Sequence, residues 1–462
     1  MIDFEDDLRS RLHDAARAQT VPPDYRATVE RRATGAGRRT SVLRVAAGVA
    51  VVGLAVGAVM AVAGRGDDGH DVQVTERAQD APATTAPSPG WTTLADGPLA
   101  PRMQHLAVAM GPEVLVWGGT PLGEGITPVA GGDASLHDGA VLDTRSGAWT
   151  EVPAAPLPAR GDAIGAWTGE EAIVLTGSDD VGAAAYDPAT NTWRELPDPP
   201  LANAANAMNH ATWTGSELVV TGVASEGASD AEGAPGDQVM VNQVAIYDPA
   251  TGAWREGAVP DAPLMSFSDA VWTGTEVVVV GVAGTSGSSE GANAMRAYDP
   301  ATDSWRDLGW GMPGTRGGMV VAWTGDRLFV GGGGRDGMLT DASLLDPATG
   351  AWEVLPAAPI AFSGNDRYGE IWTGSAVLTL GGEDGQALAF DPATGAWTVG
   401  PAAAEPGRAE APWVWAGDRA VVAGGGTSFA AGPPPTAGDG TVGRAEQCCE
   451  AISTFAEAYV PA

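Results

Sequence analysis

The sequence predicts an all-β protein: a seven-bladed β-propeller with a shared closing blade, preceded by one transmembrane α-helix and a short cytoplasmic tail. Two recurring phrases and one apolar run predict it. The phrase Asp187-Pro188-Ala189-Thr190-Asn191-Thr192-Trp193 returns at residues 248–254, 299–305, 346–352 and 391–397, with a degenerate copy at 143–149. Trp-Thr-Gly begins at Trp167, Trp213, Trp272, Trp323 and Trp372, with weaker versions at Met110-Gly111 and Trp415-Ala416-Gly417. The two phrases alternate, and self-similarity at roughly 40–50 residues marks a solenoid or a propeller. The apolar run is residues 45–64.

Residues 1–44 are too few for an independent core. Phe4, Leu8, Leu12 and Ala15 fall at helical spacing, so one short amphipathic helix is expected before Pro22-Pro23. The rest reads as a basic topogenic tail. A tail of this kind resembles those of membrane-bound anti-sigma regulators, but their zinc-binding members use a His and paired Cys where this chain has only His13. Residues 45–64 carry no charge and have the length of a membrane-spanning helix. Arg26, Arg31, Arg32, Arg38, Arg39 and Arg44 precede them, which places the N-terminus in the cytoplasm and the propeller outside. Ala61-Val62-Ala63 fits a signal-peptide cleavage site, yet the long apolar run and long leading region favour an uncleaved anchor. Residues 65–89, rich in Asp, Ala, Thr and Pro, read as a disordered tether.

The propeller is expected over 90–462. Each unit reads as four antiparallel strands, seen most plainly around Trp213. Thr214-Gly215-Ser216 makes a tight turn, Leu218-Val219-Val220 a β-branched strand, Val244-Ala245-Ile246-Tyr247 the next, and Trp254 opens the last. In the turn 248–252, Asp bonds its own backbone, Pro sets φ and Gly supplies a positive φ. Several second strands end on a glycine doublet, at Gly118-Gly119, Gly331-Gly332, Gly381-Gly382 and Gly424-Gly425. A Tyr then stands seven residues before a Trp, as Tyr186 before Trp193, Tyr247 before Trp254 and Tyr298 before Trp305. This pattern resembles the kelch repeat, with one glycine missing at Thr176-Gly177, Thr221-Gly222 and Val280-Gly281. Kelch and galactose-oxidase-like propellers share the unit without sharing one function, so the resemblance implies a fold and no particular activity.

The Trp-Thr-Gly turn occurs seven times and the Asp-to-Trp phrase six times, counting weak copies. Gly90-Trp91-Thr92-Thr93-Leu94 looks like a final strand with nothing before it. Pairing it with the last unit closes the ring and removes an exposed edge. The repeat Trp and Tyr residues are therefore expected in the core.

All 25 basic residues are arginine, which with abundant Ala and Gly points to a GC-rich bacterial genome. Residues 45–462 hold sixteen arginines and fifty-one acids, a balance that repels nucleic acid and anionic headgroups. Cys448 and Cys449 are adjacent, so a disulfide between them would be strained; an intermolecular bridge or two free thiols remain open.

In an up-and-down blade the Trp-Thr-Gly and Asp-Pro-Ala-Thr-Gly turns share one face. The long connections at 120–138, 223–242, 282–294 and 427–442 lie on the other, which is the expected working face. There Arg160, Arg316 and Arg408 each stand seven residues before the next turn's Trp, and Arg102 and Arg367 occupy nearly equivalent places. Five guanidinium groups around the channel mouth would suit a carboxylate or phosphate ligand; the competing account is bracing through acids. Units lacking that Arg offer Asn206 with His210, and Ser268 with Asp269. No catalytic set, metal site or cofactor is expected. Copper-radical oxidation on a related propeller needs a Tyr joined to Cys plus His ligands, and the propeller has only His105, His137 and His210, with both Cys at its tail.

The resulting expectation is a bacterial single-pass membrane protein displaying a protein- or glycan-binding module outside the cell. Two alternatives stand beside it. One is an enzyme acting on an acidic carbohydrate, epimerase- or lyase-like; the other is a sensor signalling to a cytoplasmic partner through residues 1–44.

Overall fold

Runs such as Ala172-Ile173-Val174-Leu175 and Val277-Val278-Val279-Val280 are buried at every residue, although side chains of a strand alternate between two faces. Both faces must therefore be covered, which requires sheet stacked on sheet. The computed structural model describes residues 89–461 except 122–135, 158–162, 178–180, 203–208, 227–238, 263, 284–291, 335–336, 365–370, 383–384, 404–407, 410–411, 425, 428–450 and 453–455. The tail expected at 1–44, the membrane helix at 45–64 and nearly all of the tether at 65–89 lie outside the described residues. Among those described, no helix is long and apolar enough to cross a membrane.

Seven four-stranded antiparallel sheets follow one another. Blade 1 is Leu106–Met110, Glu113–Trp117, Gly139–Asp143 and Ala148–Glu151; blade 2 is Ile164–Trp167, Ala172–Thr176, Gly182–Asp187 and Thr192–Leu196. Blade 3 is His210–Trp213, Leu218–Glu226, Val239–Asp248 and Ala253–Glu256; blade 4 is Leu264–Trp272, Val277–Ala283, Ala292–Asp299 and Ser304–Asp307. Blade 5 is Val320–Trp323, Leu328–Gly331, Ala342–Asp346 and Ala351–Val354; blade 6 is Ile371–Trp372, Val377–Gly381, Gln386–Asp391 and Ala396–Ala402. Blade 7 takes Trp413–Trp415, Ala420–Ala423 and Ala456–Val460 from the end of the chain and Gly90–Thr93 from the start. The shared closing blade is thus present. The sequence had left its third strand unassigned, because no Asp-Pro-Ala-Thr-Gly phrase follows it. All four connections read as loops are partly strand. In blade 3 residues 223–226 pair with 239–242, and in blade 4 Val282 and Ala283 pair with Asn293 and Ala292. Thr120 and Pro121 pair with Met103 and Arg102, and Thr427 pairs with Arg408 and Ala451.

The core is divided into clusters, each shared by two neighbouring blades. Leu115 and Trp117 of blade 1 meet Val174 and Tyr186 of blade 2, and Ile173 and Leu175 of blade 2 meet Leu218 and Val220 of blade 3. The series ends where Val114, Val116 and Leu142 of blade 1 meet Val421, Ala456 and Ala458 of blade 7. A directional bond accompanies six of the seven steps; in blade 5 Trp352 instead meets Trp310 edge-on at 6.1 Å. Trp193 Nε1 donates to Pro153 O at 2.9 Å, Trp254 to Pro197 O at 2.8 Å and Trp397 to Pro356 O at 2.8 Å, always from an outer strand to the backbone leaving the blade before it. The seam follows the same rule: Trp91 donates to Pro401 O at 2.9 Å and Trp149 to Ala95 O at 3.0 Å.

Cross-strand register repeats as faithfully. Tyr186–Trp193, Tyr247–Trp254, Tyr298–Trp305 and Phe390–Trp397 are register partners with ring centroids 4.9 to 5.1 Å apart. Trp91 and Tyr459, from opposite ends of the chain, form the same pair at 5.1 Å. Trp91 also meets Trp413 edge-on at 5.4 Å. Removing residues 1–95 should expose Ala456–Val460 as a sheet edge and cost at least the burial of one Trp, about 3–5 kcal/mol. For a ring of this size that is on the order of 10 °C in melting temperature relative to a chain beginning at Ala81. Equal melting temperatures by calorimetry would show that the closing strand is dispensable.

Candidate functional site

One end of the ring is built from turns that satisfy themselves. Asp187 Oδ1 accepts the Ala189 N–H at 2.8 Å and Oδ2 accepts the Thr190 hydroxyl at 2.8 Å. Asp299, Asp346 and Asp391 repeat both bonds. The threonine hydroxyl, then the backbone N–H, hold all four carboxyls below their usual range. Gly252, Gly350 and Gly395 complete the turn at φ of +67°, +71° and +69°. Asn191 and Asp303 take that left-handed place in blades 2 and 4, and their side chains accept the Tyr186 and Tyr298 hydroxyls at 2.9 and 2.6 Å. In the Trp-Thr-Gly turn, the Thr168 hydroxyl donates to Glu171 O and accepts from Glu171 N, both at 2.9 Å. Surface ion pairs cross this face: Arg194–Glu171, Arg255–Glu217 and Arg306–Glu276, with the polarity reversed in blade 5 as Arg327–Glu353. Each is worth about 0–1 kcal/mol at such exposure.

The other end holds the starts of the innermost strands. A cavity of about 180 Å³ opens among them, lined by Ala107, Gly165, Asn209, His210, Ala270 and Trp413 from blades 1, 2, 3, 4 and 7. Asn209 is buried, and its Oδ1 accepts the Val223 N–H at 3.1 Å. A Cβ on Gly222 would stand 1.7 Å from that oxygen, so glycine is required there. His210, expected in the site, lines this cavity and pairs with Thr221 in register. Asp269 sits at a β-bulge of blade 4; its Oδ1 accepts its neighbour's N–H at 2.7 Å, while its Oδ2 is buried without a hydrogen-bond partner. Sequence reading missed Asn209 and Trp413, whose part is set by where the inner strands begin.

Arg102 and Arg316, expected to offer their guanidinium groups to a ligand, do something else. Arg102 is 2% exposed and grips Asp138 bidentately at 2.9 and 3.0 Å, with Gly118 O at 2.9 Å. Arg316 is 4% exposed and grips Asp341 at 2.9 Å through both oxygens, with Pro313 O at 2.7 Å. Each pair ties the start of a blade to the residue just ahead of that blade's third strand. Burial works against the Asp138 carboxylate, yet the Arg102 bonds outweigh it and hold the group below its usual range. With one fork on a carboxylate and further N–H groups on Ala100 O, Gly118 O and Pro313 O, these two buried guanidinium groups are engaged within their own blades. These two arginines brace their blades. The aspartate directly before the third strand was the available signal. Arg160, Asn206 and Arg367 lie outside the described residues, and the backbone of Arg408 belongs to a short strand, Arg408–Ala409, paired with Gly426–Thr427.

Beside Arg102 lies His105, also missed, 1% exposed at the seam between blades 1 and 7. A Cβ on Gly119 would meet His105 Cβ at 2.8 Å, and one on Gly424 would meet its ring at 3.0 Å. Neither ring nitrogen makes a hydrogen bond of ordinary geometry. Burial first, then the Arg102 charge, push its pKa from 6.5 down to about 3, and the nearby Ala423 backbone opposes them only slightly. Between those values the unfolded chain binds a proton that the folded chain refuses. Stability therefore falls as pH drops from about 6.5 toward 3, by about 1.4 kcal/mol per pH unit at full slope. Asn209 fills the matching place in blade 3, so His105→Asn should fold. Its melting temperature should decline less steeply than the parent's between about pH 6.5 and pH 4; parallel curves would remove His105 from the acid response.

No family model matches the sequence. The chain is 26% identical over 327 residues to the Kelch-like protein terF of Aspergillus terreus, a match taking in 65% of this chain and 66% of that protein's length. It also resembles the solved structure of a fungal alcohol oxidase of the AA5 family in complex with copper, with a TM-score of 0.53 and 15% identity over 81% of this chain and 76% of the oxidase. That likeness extends to the fold alone. A copper-radical centre does not fit the described residues. Tyr186, Tyr247 and Tyr298 are packed between blades against tryptophans, and no three His, Cys, Asp or Glu side chains converge. Cys448 and Cys449 lie outside the described residues. Its repeat, its ring of seven blades and its likeness to these proteins make the chain a kelch-repeat β-propeller.

Proposed function

We propose that this propeller is a membrane-anchored, extracytoplasmic binding module that takes a protein or glycan partner at the channel mouth. Residues 45–64 form the anchor in this reading, with residues 1–44 in the cytoplasm. The observation that supports binding at the mouth is the unlikeness of the two ends. One end repeats the same closed turns from blade to blade. The other has connections of every length, a cavity, and polar side chains at its wall. Blades 3 and 4 raise one side of that wall, because Leu218–Glu226, Val239–Asp248 and Leu264–Trp272 run well past the usual strand length. A rigid scaffold carrying variable connections is the usual arrangement for recognition.

His210 is the described side chain best placed to contact a ligand, with Arg160, Asn206, Arg367 and Arg408 as further contacts from the surrounding connections. Acidic sugars are the ligands that such arginines favour, since a charge-assisted bond contributes roughly 1.5–3 kcal/mol. The full chain, titrated with galacturonate and followed by tryptophan fluorescence through Trp413, should show saturable quenching, with galactose binding at least about tenfold more weakly. His210→Ala should weaken galacturonate roughly tenfold at unchanged melting temperature. Equal responses to both sugars, or binding indifferent to His210, would reject the mouth as the site.

A further inference from the structure

Arg296 stands on the third strand of blade 4, opposite Asp307 and two residues before Tyr298. The same register position holds Ala140, Ala184, Ala245, Ser343 and Leu388 in blades 1, 2, 3, 5 and 6, so the repeat calls for a small or apolar residue there. Arg296 is nonetheless 7% exposed. Arg102, Arg194, Arg255, Arg306, Arg316, Arg327 and Arg419 each hold a carboxylate. Arg296 donates instead to a backbone carbonyl, that of Ala262, and no carboxylate lies within salt-bridge distance among the described residues.

The surroundings depart from the repeat in step with it. Val152, Leu196, Leu308 and Leu355 follow their outer-strand tryptophans by three residues, whereas blade 3 has Gly257 and, away from this place, blade 6 has Gly400. A Cβ there would stand 2.6 Å from Val244 and 2.7 Å from the Tyr298 hydroxyl. The connection 257–264 is two residues longer than its counterparts 152–157, 196–201 and 355–360. A cavity of about 420 Å³ results on the outer side of the ring, lined by Pro260, Asp261, Arg296, Asp303, Trp305 and Asp307. Small-molecule pockets begin at about 300 Å³. Asp303 and Asp307 use Oδ1 for backbone N–H groups at 2.7 Å, and their Oδ2 atoms make no hydrogen bond within the described residues.

We propose that this cleft binds a small zwitterion, an α-amino acid being the simplest. Arg296 receives the carboxylate, Asp261, Asp303 and Asp307 receive the ammonium, and Trp305 supplies an apolar wall. A simple anion would meet three carboxylates at the rim and a simple cation a buried guanidinium, whereas a ligand carrying both charges satisfies both. The site does not rest on the reading of the channel mouth.

The test uses the full chain and the twenty amino acids at about 10 mM each as probes, read by melting temperature and by tryptophan fluorescence. At least one should raise the melting temperature, and its affinity should exceed that of acetate or methylamine by roughly tenfold or more. Arg296→Gln should weaken it by roughly tenfold and Asp261→Asn by less, while His210→Ala leaves it unchanged. Should Arg296→Gln fail to fold, Arg296→Lys serves, since a point charge without the fork should also bind more weakly. The proposal is overturned if no amino acid shifts the parent protein. It is equally overturned if binding is undiminished in the Arg296 variants, in which case the arginine only clamps the long connection through Ala262.

Discussion

The indole N–H that six of the seven outer strands send to the backbone of the blade before them is the contact on which the rest of the ring depends. No blade has a core of its own. Its middle strands are apolar on both faces, so each face must be met by a neighbour, and only a closed circle leaves none bare. Apolar burial supplies most of the stabilisation but has no preferred angle. The tryptophan adds direction in six blades: its ring covers the neighbour's flank while Nε1 fixes the offset, within 2.6 to 3.0 Å of a carbonyl at Trp91, Trp149, Trp193, Trp254, Trp305 and Trp397. The seam obeys the same geometry although its two partners come from opposite ends of the chain. Arg419 of blade 7 strengthens it by donating to Thr144 O of blade 1 at 3.0 Å.

That constraint divides the molecule into an end that cannot vary and an end that can. The turns beside the tryptophans must deliver each outer strand at a fixed angle, so they carry their own hydrogen bonds and left-handed residues. Even where Asn191 and Asp303 replace glycine, the substitution is matched by a tyrosine hydroxyl. Connections at the opposite end set no angle between blades and are free to lengthen. The buried arginines reflect the same division. Arg102 and Arg316 stabilise the transition from free connection to fixed sheet inside their own blades.

Nearly all of the propeller was legible in the sequence, because the residues that carry it must recur with the repeat. Tyr, Trp, Asp-Pro and Trp-Thr-Gly fix strand number, register and blade count, and the unpaired strand at Trp91 announced the closure. The third strand of blade 7 was obscured because Ala456–Val460 lacks the flanking turn that marks the others. The site was far less legible. Arg102 and Arg316 look alike to a ligand-holding arginine in sequence, and only the position of Asp138 and Asp341 separates the two uses. His105 and Asn209 show nothing periodic, since their surroundings are set by glycines on another strand. The reversed pair Arg327–Glu353 was likewise invisible to a search for repeated letters, as it preserves an interaction while exchanging the residues that make it.

Gly90 and Val460 are register partners, so the polypeptide leaves the ring at the point where it came in. Any mechanical load on the chain ahead of Gly90 is borne first by four residue pairs, Gly90 to Thr93 against Glu457 to Val460. Those pairs are also the clasp of the circle. A pull at that point is not spread over seven blades but concentrated on the one strand whose release would open all of them. The Trp91 ring, wedged between Tyr459 and Trp413, is what such a force would have to draw out first.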